Sequence, residues 1–558
     1  MIKMSKPSCL FLPWRSFLIT IVFFFAFLTS FTVHSQTVPN YLLFSMNATE
    51  FPPEASYDYV IVGGGTAGCP LAATLSQNFT VLLIERGGVP YGNPNLMNLE
   101  GFLPTLMQVD EFDSPAQSFT SEDGVPNARG RVLGGSSAIN AGFYSRADHE
   151  FYEQSGISWD MRLVNMSYEW VERMVVSRPE LRNWQSAFRD SLLEAGIGPY
   201  NGFTLDHVVG TKIGGSTFDS SGRRHSAADL LSCGNASNMR VALYANAERI
   251  LISAADNSEL SATGVVFRDD QGNYHRALVK GGGEVILSAG AIGTPQLMLL
   301  SGIGSRPYLS SWGIPVSLHS PYVGQFMYDN SRNGISIVPP IPIEHSLIQV
   351  VGITGSGTYI EAASNIIPFV TPAHSIFLRA PSMPLYLTVA TIMEKISGPS
   401  SSGTLMLAST DVRVNPIVRF NYFSDPSDLQ KCVNGVRTIG AMLSSRSLED
   451  FRFRQWFGEQ EFRFVGPSLP RDLADDALMA DYCRRSVSTL WHYHGGCLLG
   501  KVVDADLRVL GINALRVVDG SVFTVSPGTN PQATLMMLGR YMGAKLVNER
   551  SRPKCYPC

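Results

Sequence analysis

The segment from Tyr57 to Glu85 constrains the fold more than any other part of the chain. Residues 57–62 form a short β-branched run typical of a buried strand, which leads directly into Gly63-Gly64-Gly65-Thr66-Ala67-Gly68. Residues 69–77 are compatible with a helix, and a second apolar run over residues 81–84 ends at Glu85. A strand, a glycine-rich turn, a helix, a strand and an acid in this order predict a dinucleotide-binding βαβ unit.

Each residue of this motif has a predicted role. Gly63 permits the tight turn, Gly65 lets the backbone approach a pyrophosphate, and Gly68 lets the helix pack on the strand. The first helical residues, including Thr66 and Ala67, present free N–H groups and the positive end of the helix dipole to the phosphates. Glu85 is placed to accept hydrogen bonds from ribose hydroxyls, and Arg86 follows it. The motif alone does not distinguish NAD from FAD.

Length and composition predict a globular chain of more than one domain. The chain has 558 residues, and single cores stop growing at about 250–300 residues. Apolar residues make up 45% and charged residues 16%, and the formal charge is −4. This balance offers no basic surplus for nucleic acid, so no nucleic-acid partner is expected.

The N-terminus predicts secretion. Basic residues precede an uninterrupted apolar stretch over residues 17–28, and small residues follow at Ser30 and Ser35. This is the pattern of a secretory signal peptide, assigned to residues 1–35, and the apolar run is shorter than the ~20 residues that span a bilayer. No later segment is apolar enough to cross a membrane. We therefore expect a secreted protein, or one in the endomembrane lumen.

Secretion changes how cysteines and sequons are interpreted. After signal cleavage the cysteines are Cys69, Cys233, Cys432, Cys483, Cys497, Cys555 and Cys558. An odd number in an oxidising compartment leaves at least one free thiol. Sequons stand at Asn47, Asn78, Asn165 and Asn235. Asn78 lies inside the predicted nucleotide fold, so glycosylation is predicted at Asn47, Asn165 and Asn235.

Three further stretches resemble one known family in its own order along the chain. The first is GRVLGGSSAIN at residues 130–140, and the second is GAIGTP at 290–295 with SGIG at 301–304. The third is WHYHGGC at residues 491–497, followed by Asp519-Gly520 and Asn530-Pro531-Gln532. Together they resemble the signatures of the glucose–methanol–choline (GMC) oxidoreductase family over nearly the whole mature chain.

The resemblance implies FAD as the cofactor and a discontinuous α/β fold. A Rossmann-like FAD-binding domain is expected from residues 36–150, 236–310 and 484–550. A sheet-based substrate domain, residues 151–235 and 311–483, is inserted into it. The resemblance extends the predicted FAD-binding set to Val132, Gly135, Ser136, Asn140, Ala141, Gly142, Phe143, Ala247, Trp491, Asp519, Gly520, Pro531 and Gln532.

One proline, Pro295, and one isoleucine, Ile139, each support a further prediction. Pro295 suits the first turn of a helix, where its missing N–H is no loss. Some members of the family tether FAD through a His at the position of Ile139, so non-covalent FAD is expected here.

His492 is the predicted catalytic base. Oxidising an alcohol requires a group that takes the hydroxyl proton while hydride leaves the carbon, and neutral His suits this near pH 7. By resemblance, Asn530 positions the substrate oxygen, and the helix that follows it stabilises the reduced flavin by its dipole. His494 is a substrate-site candidate or a buried structural histidine. The pair His492-x-His494 has no suitably spaced third ligand, so no metal is predicted.

Within the family, the chain resembles the subgroup that contains mandelonitrile lyases and the HOTHEAD protein. In that subgroup Cys432 and Cys483 match a disulfide. The lyases carry a second His where this chain has Asn530, a Tyr at the position of Leu490 and a substrate-facing Cys near Glu361. Three hypotheses stay open: alcohol oxidation, cyanohydrin cleavage with redox-silent FAD, and a weakly catalytic developmental flavoprotein.

Overall fold

The glycine-rich motif lies at the centre of a mostly parallel sheet, called sheet I. The computed structural model describes residues 38–110, 113–254, 259–369, 385–455, 458 and 460–551. The predicted signal peptide, residues 1–35, and Cys555 and Cys558 lie outside the described residues. Strands Glu54–Val62 and Val81–Ile84 pair in parallel, and helix Gly68–Leu75 joins them.

Sheet I combines segments that are far apart in the sequence. From edge to edge its strands are Ser45–Asn47, Met239–Leu243, Val81–Ile84, Glu54–Val62, Tyr274–Leu287, Leu260–Arg268 and Asn246–Ala254, with Leu515–Val517 also paired to Tyr274–Leu287. The last two pairs in this order are antiparallel, and the other pairs are parallel. All parallel strands therefore deliver their carboxyl ends to one edge, where ligands bind in such sheets.

A second large sheet, sheet II, is built from the middle of the chain. Its strands in order are Arg463–Val465, Ser331–Val338, Leu385–Ile396, Thr358–Phe369, Val350–Ile353, Gly210–Ile213 and Tyr200–Phe203, with Ser488–Thr489 also paired to Ser331–Val338. All pairs are antiparallel except the last pair in this order. The predicted α/β class, with a second sheet-based part, is confirmed, whereas the domain boundaries stay a prediction.

Helices cover both sheets. The α-helices are Gly68–Leu75, Pro94–Met97, Phe102–Met107, His149–Gln154, Met161–Val175, Asn183–Glu194, Ala227–Leu230, Gly290–Leu300, Arg306–Ser311, Pro426–Leu443, Asp476–Ser486 and Gln532–Ser551. Smaller sheets are formed by Ala116–Thr120 with Pro126–Gly130, Phe143–Tyr144 with Gly215–Ser216, Ile303–Gly304 with Leu318–His319, Phe453–Arg454 with Gln460–Glu461, and Ile417–Arg419, Gly403–Met406, Gln325–Tyr328 and His494–Gly495 in one four-stranded sheet. None of the helices in the described part of the chain is long and apolar enough to cross a membrane.

Local patterns located the elements of sheet I well but misplaced Pro295. This proline is the sixth residue of helix Gly290–Leu300, not a first-turn residue. The helix begins earlier because Asp519, 229 residues away, accepts a hydrogen bond from the Gly290 N–H at 2.9 Å. A distant carboxylate thus stabilises the helix N-terminus, which no local signal reveals. A proline inside a helix has no N–H to donate to the carbonyl four residues earlier, and this helix continues through Pro295 without that hydrogen bond.

The four sequons lie in different surroundings. Asn165 is exposed on helix Met161–Val175, and Asn78 is exposed after helix Gly68–Leu75. Asn47 and Asn235 are half-buried, and the side-chain oxygen of each accepts a hydrogen bond from the backbone N–H two residues later. Glycosylation at Asn47, Asn165 and Asn235 stays a prediction.

A disulfide joins two helices behind sheet II. It links Cys432 of helix Pro426–Leu443 to Cys483 of helix Asp476–Ser486, as the family resemblance implied. Both residues are buried in a small core with Ile396, at the end of a sheet II strand. The crosslink therefore fixes the helical layer that supports this sheet.

Removing this disulfide is expected to destabilise the fold. The double variant Cys432→Ser/Cys483→Ser opens a sequence separation of 51 residues. We expect the free energy of unfolding to fall by about 2–4 kcal/mol, because the unfolded chain gains conformational freedom. Denaturant unfolding followed by circular dichroism measures this. Cys233→Ser, which removes a cysteine outside the disulfide, is the control, and equal midpoints for the two variants would contradict the expectation.

Candidate active site

A cavity of about 540 Å³ lies between the carboxyl edge of sheet I and one face of sheet II. The glycine-rich turn, residues between 135 and 143, and C-terminal residues between 490 and 535 line it on one side. Side chains from the strands Ser331–Val338, Thr358–Phe369 and Leu385–Ile396 line the other side. This volume is typical of ligand sites, which measure about 300–1,000 Å³.

Glycine backbones form one end of the cavity. Gly63 has φ +105°, and a Cβ there would collide with the carbonyl of Ser288 on the neighbouring strand connection. A Cβ on Gly135 would lie 2.7 Å from the Cα of Gly65. Gly65, Thr66 and Ala67 line the cavity, so the start of helix Gly68–Leu75 is open to it. A backbone surface without side chains at a helix N-terminus fits a pyrophosphate.

Glu85 borders the same end of the cavity. Its carboxylate accepts hydrogen bonds from the N–H groups of Gly64, at 2.9 Å, and Gly87, at 2.8 Å. Burial raises the pKa of Glu85, and these two bonds oppose the shift. One bond on each oxygen leaves lone pairs available, which suits the acceptance of ribose hydroxyls. Arg86 also lines the cavity and donates to Gln117 at 2.5 Å.

The loop after the GRVLGGSSAIN motif is tied to the C-terminal helix. Asn140 donates from Nδ2 to Oε1 of Gln532 at 2.9 Å, and Gln532 donates from Nε2 to the Phe143 carbonyl at 2.6 Å. The Asn140 Oδ1 accepts from the Gly142 N–H at 2.9 Å. Both amides are therefore held in one orientation at the start of helix Gln532–Ser551. The N–H groups of this helix start lie beside the cavity, where they would favour negative charge.

His492 and Asn530 meet on the cavity wall. The distance between His492 Nε2 and Asn530 Nδ2 is 3.4 Å. His492 Nδ1 and Asn530 Oδ1 are buried and have no hydrogen-bond partner among the described residues. Burial, with the neighbouring Lys395, holds the pKa of His492 well below its usual range. The imidazole is therefore neutral near pH 7 and can accept a proton.

Lys395 was missed by sequence analysis and supports the loop that carries Asn530. Its Nζ donates to the Gly528 carbonyl at 2.8 Å and also to the Thr529 carbonyl. The side chain is buried, and burial lowers the pKa of Lys395 to about 7. Because these bonds hold the two residues before Asn530, Lys395 positions the amide beside His492. Only its position next to an acid, in an otherwise apolar run, could have drawn attention to it.

Arg332 is a second charged residue that sequence analysis missed. It lines the cavity, donates from Nε to Ser488 Oγ at 3.0 Å, and its guanidinium lies 5.4 Å from the centre of the Trp491 ring. Trp491 itself has φ +60°, a conformation rare for large residues, and its N–H donates to Thr489 Oγ1 at 2.7 Å. These contacts fix the loop on which His492 stands.

The structure brings most predicted site residues to the cavity but not all. Gly68, Val132 and Glu361 do not line it. Gly68 packs beneath the Gly63 carbonyl, as its predicted packing role requires. Glu361 is buried and lies opposite Met393, which does line the cavity, on the neighbouring strand of sheet II. The substrate role expected for Glu361 stays a prediction.

Leu490 and His494 do line the cavity. His494 stacks on Tyr328 with ring centroids 5.2 Å apart, and its Nδ1 lies 3.1 Å from the His492 carbonyl. Burial lowers the pKa of His494 to about 4, so it is a neutral side chain that braces the segment carrying His492.

Asp519 lines the cavity and also organises its backbone. Its carboxylate accepts hydrogen bonds from Thr294 Oγ1 at 2.5 Å and from the Ser521 N–H at 2.8 Å, beside the Gly290 bond already described. Thr294 belongs to the GAIGTP motif, and the sequence alone does not reveal which residues the side chains of this motif contact. The motif and Asp519 therefore act as one unit at the carboxyl edge of sheet I.

Comparison with known proteins agrees with this geometry. Residues 57–330 and 399–539 match the N-terminal and C-terminal models of the family described as GMC oxidoreductase. The chain is 66% identical to an Arabidopsis thaliana protein named (R)-mandelonitrile lyase-like, over 92% of this chain and 94% of that one. It is 51% identical to (R)-mandelonitrile lyase 1 of Prunus serotina, over 92% and 90%.

One relative with a similar sequence identity is named as an oxidase. The chain is 49% identical to Sinalpyl alcohol oxidase Nec3 of Nesocodon mauritianus, over 92% of this chain and 91% of that one. Among solved structures, a variant of the Aspergillus oryzae formate oxidase superposes with a TM-score of 0.73 at 22% identity, covering 89% of this chain and 99% of that one. The cavity joins a dinucleotide cradle to a His–Asn pair, and the family models span both halves of it: the chain belongs to the GMC oxidoreductase family.

Proposed function

We propose that this protein is a secreted FAD-dependent oxidoreductase that oxidises the CH–OH group of a small-molecule alcohol. The observation that carries the proposal is the neutral, half-buried His492 beside Asn530, on a cavity wall shared with the glycine cradle. An alcohol oxidation needs a proton acceptor and an oriented hydroxyl next to a bound redox cofactor. Residues that can meet all three requirements line one cavity.

The residues present fit FAD. The cradle at Gly63 and Gly135 would be filled by any Cβ, and Glu85 keeps acceptor capacity at the ribose position. The helix start at Gln532 borders the opposite end. When bound there, FAD supplies the two-electron acceptor for the carbinol hydride. Its negative charge in the reduced form is favoured by the dipole of helix Gln532–Ser551.

His492 and Asn530 divide the remaining work. His492 Nε2 and Asn530 Nδ2 are 3.4 Å apart, and Asn530 Oδ1 has no partner among the described residues, so one substrate hydroxyl placed against the pair can bond to both side chains. Asn530 orients the oxygen, and His492 takes the hydroxyl proton as hydride leaves the carbinol carbon. Lys395 keeps this pair in register through the Gly528 carbonyl.

Secretion is supported by independent features. The basic residues and apolar run before residue 35 predict a signal peptide, and four sequons follow. The disulfide Cys432–Cys483 also supports secretion, because disulfides form in oxidising compartments and are rare in the cytosol.

Cyanohydrin cleavage is the second candidate function. It is favoured by the 66% and 51% identities to proteins named for mandelonitrile lyase. Against it stand Asn530, which removes one imidazole, and Leu490 on the cavity wall. A single imidazole beside an amide serves proton removal from a hydroxyl but gives cleavage one proton-transfer partner fewer.

FAD is expected to be released by acid. Ile139 lines the cavity where a tethering His stands in some GMC proteins, and an alkyl side chain cannot form the covalent bond. Precipitating the purified yellow protein with trichloroacetic acid should leave all flavin absorbance in the supernatant. Flavin that stays with the pellet after proteolysis would contradict non-covalent binding.

His492→Ala is expected to abolish flavin reduction by alcohols. Removing the proton acceptor should slow anaerobic flavin bleaching by about 10²–10⁴-fold. The assay mixes holoprotein with aryl and long-chain alcohols in a stopped-flow spectrometer. His149→Ala, an exposed histidine on a short helix, is the control and should bleach like the wild type. A variant at position 492 that bleaches within about threefold of the wild type would exclude His492 as the base.

Wild-type protein is expected to leave mandelonitrile uncleaved. The measurement is cyanide and benzaldehyde release under anaerobic conditions, with flavin absorbance recorded in parallel. Cyanide release while the flavin stays oxidised would replace oxidation by the lyase reaction as the function. If the protein neither cleaves mandelonitrile nor is bleached by any alcohol, the outcome supports a weakly catalytic role.

A further inference from the structure

Arg224 is a buried arginine that lies one layer behind the cavity wall. Its side chain is 2% exposed, and it precedes helix Ala227–Leu230. Nη1 donates to Asn140 Oδ1 at 3.0 Å and to the Ser137 carbonyl at 3.4 Å. Asn140 and Ser137 line the cavity, whereas Arg224 does not. The guanidinium therefore acts on the cavity through these two residues.

Backbone and aromatic contacts hold the guanidinium in place. The Arg224 N–H donates to the Met97 carbonyl at 2.7 Å, and Nε donates to the Leu96 carbonyl at 3.0 Å. The centre of the Phe218 ring lies 4.3 Å from the guanidinium carbon. A Cβ at Gly142 would lie 2.6 Å from the same ring, so the ring also packs against this backbone. One face of the guanidinium is therefore covered by an apolar ring, and water screens its charge poorly.

The positive charge of Arg224 has no acidic partner within the described part of the chain. Burial is the cause that lowers its pKa to about 9, so the side chain is still charged at pH 7. The nearby acids are engaged elsewhere: Asp219 pairs with His225 at 3.2 Å, and Asp229 accepts the Ser226 N–H at 2.9 Å. Nη2 is buried and has no hydrogen-bond partner among the described residues. A buried, unpaired cation is costly, and a ligand that brings negative charge offsets this cost.

Asn140 connects this charge to the reaction end of the cavity. Its Nδ2 donates to Gln532 Oε1 at 2.9 Å, at the start of helix Gln532–Ser551. Gln532 follows Asn530 by two residues, and Asn530 Nδ2 lies 3.4 Å from His492 Nε2. The Arg224–Asn140–Gln532 chain of hydrogen bonds therefore ends beside the pair to which the chemistry is assigned.

Reduction of bound FAD adds negative charge. At neutral pH the cofactor accepts two electrons and one proton, so its charge becomes more negative by one. A nearby cation that water screens poorly favours the reduced form over the oxidised form, and charge close to the ring nitrogens is one way in which a protein tunes a flavin.

We propose that Arg224 is a positioning residue that raises the reduction potential of bound FAD. It orients the Asn140 amide and supplies an unpaired positive charge that favours the reduced cofactor. The inference rests on the FAD binding of the proposed function, and it holds for either of the two candidate reactions.

The midpoint potential of bound FAD tests the charge. Arg224→Gln removes the charge and leaves an amide that can donate to Asn140. The equilibrium between reduced and oxidised FAD should fall at least about tenfold, which lowers the two-electron midpoint potential by about 30 mV. Reductive titration against a reference dye at pH 7 measures it. Arg223→Gln removes the cation of the half-buried neighbouring residue and should change the equilibrium by less than about twofold.

The cofactor phosphates are the other group that Arg224 could serve, because Ser137 lies two residues after Gly135 of the glycine cradle. The phosphate charge is the same in both redox states. Titration of apoprotein with FAD therefore separates the two roles: weaker binding by Arg224→Gln with an unchanged potential would overturn the proposal. Wild-type protein that binds no FAD would contradict the proposed function instead.

Arg224→Lys keeps a cation and makes it depend on pH, which tests the charge even if Arg224→Gln does not fold. Burial lowers the pKa of two other buried lysines, Lys212 and Lys395, to about 7, and a lysine at position 224 should behave similarly. At about pH 6 the variant should have the wild-type potential, and at about pH 9 its potential should fall below that of the wild type by about 30 mV. A fall of the same size at both pH values, or no fall at either, would overturn the proposal.

Discussion

The site depends on the parallel pairing of strand Tyr274–Leu287 with Glu54–Val62 and with Leu515–Val517. Leu287 pairs with both Val62 and Val517, so three segments that are hundreds of residues apart end at the same level of sheet I. The glycine turn, Ser288 and Asp519 follow these three strand ends directly. The cofactor cradle exists only when this register is formed, because none of its parts is close to another in sequence.

The same junction explains why the imidazole of His492, proposed above as the base, is neutral. His492 is half-buried at the cavity between sheet I and sheet II, and desolvation there is the main reason that its pKa is low. Burial lowers the pKa of the nearby cations Lys395 and Arg332, and the carboxyl groups of Glu361 and Asp329 oppose that shift. Lys395 donates hydrogen bonds to backbone carbonyls, and the Arg332 guanidinium lies over the Trp491 ring. Charge thus serves the geometry of the loops and keeps the imidazole unprotonated.

Sequence analysis located the cofactor side of the site but not the substrate side. Gly63, Glu85 and His492 stand in contiguous motifs whose turn and helix chemistry is local, so their roles could be predicted. Lys395 and Thr391 lie in strand Leu385–Ile396, which carries polar and apolar residues at both odd and even positions, so its sequence shows no alternation that identifies the cavity face. Which of its residues face the cavity depends on pairing with distant strands. Pro295 was misplaced for a similar reason, because its helix is capped by the remote Asp519.

The disulfide between Cys432 and Cys483 has a consequence for how this protein can change over evolutionary time. It fixes the helices behind sheet II, on the side where Ala390 and Ile392 pack. The side chain of Thr391 is half-buried and lines the cavity on the face away from that layer, whereas Met393 packs in a small core with Phe143 and Ile348. A substitution at position 391 can therefore change the cavity wall while the stability of the scaffold is preserved. A GMC protein built in this way can diversify its chemistry from one strand without rebuilding its fold.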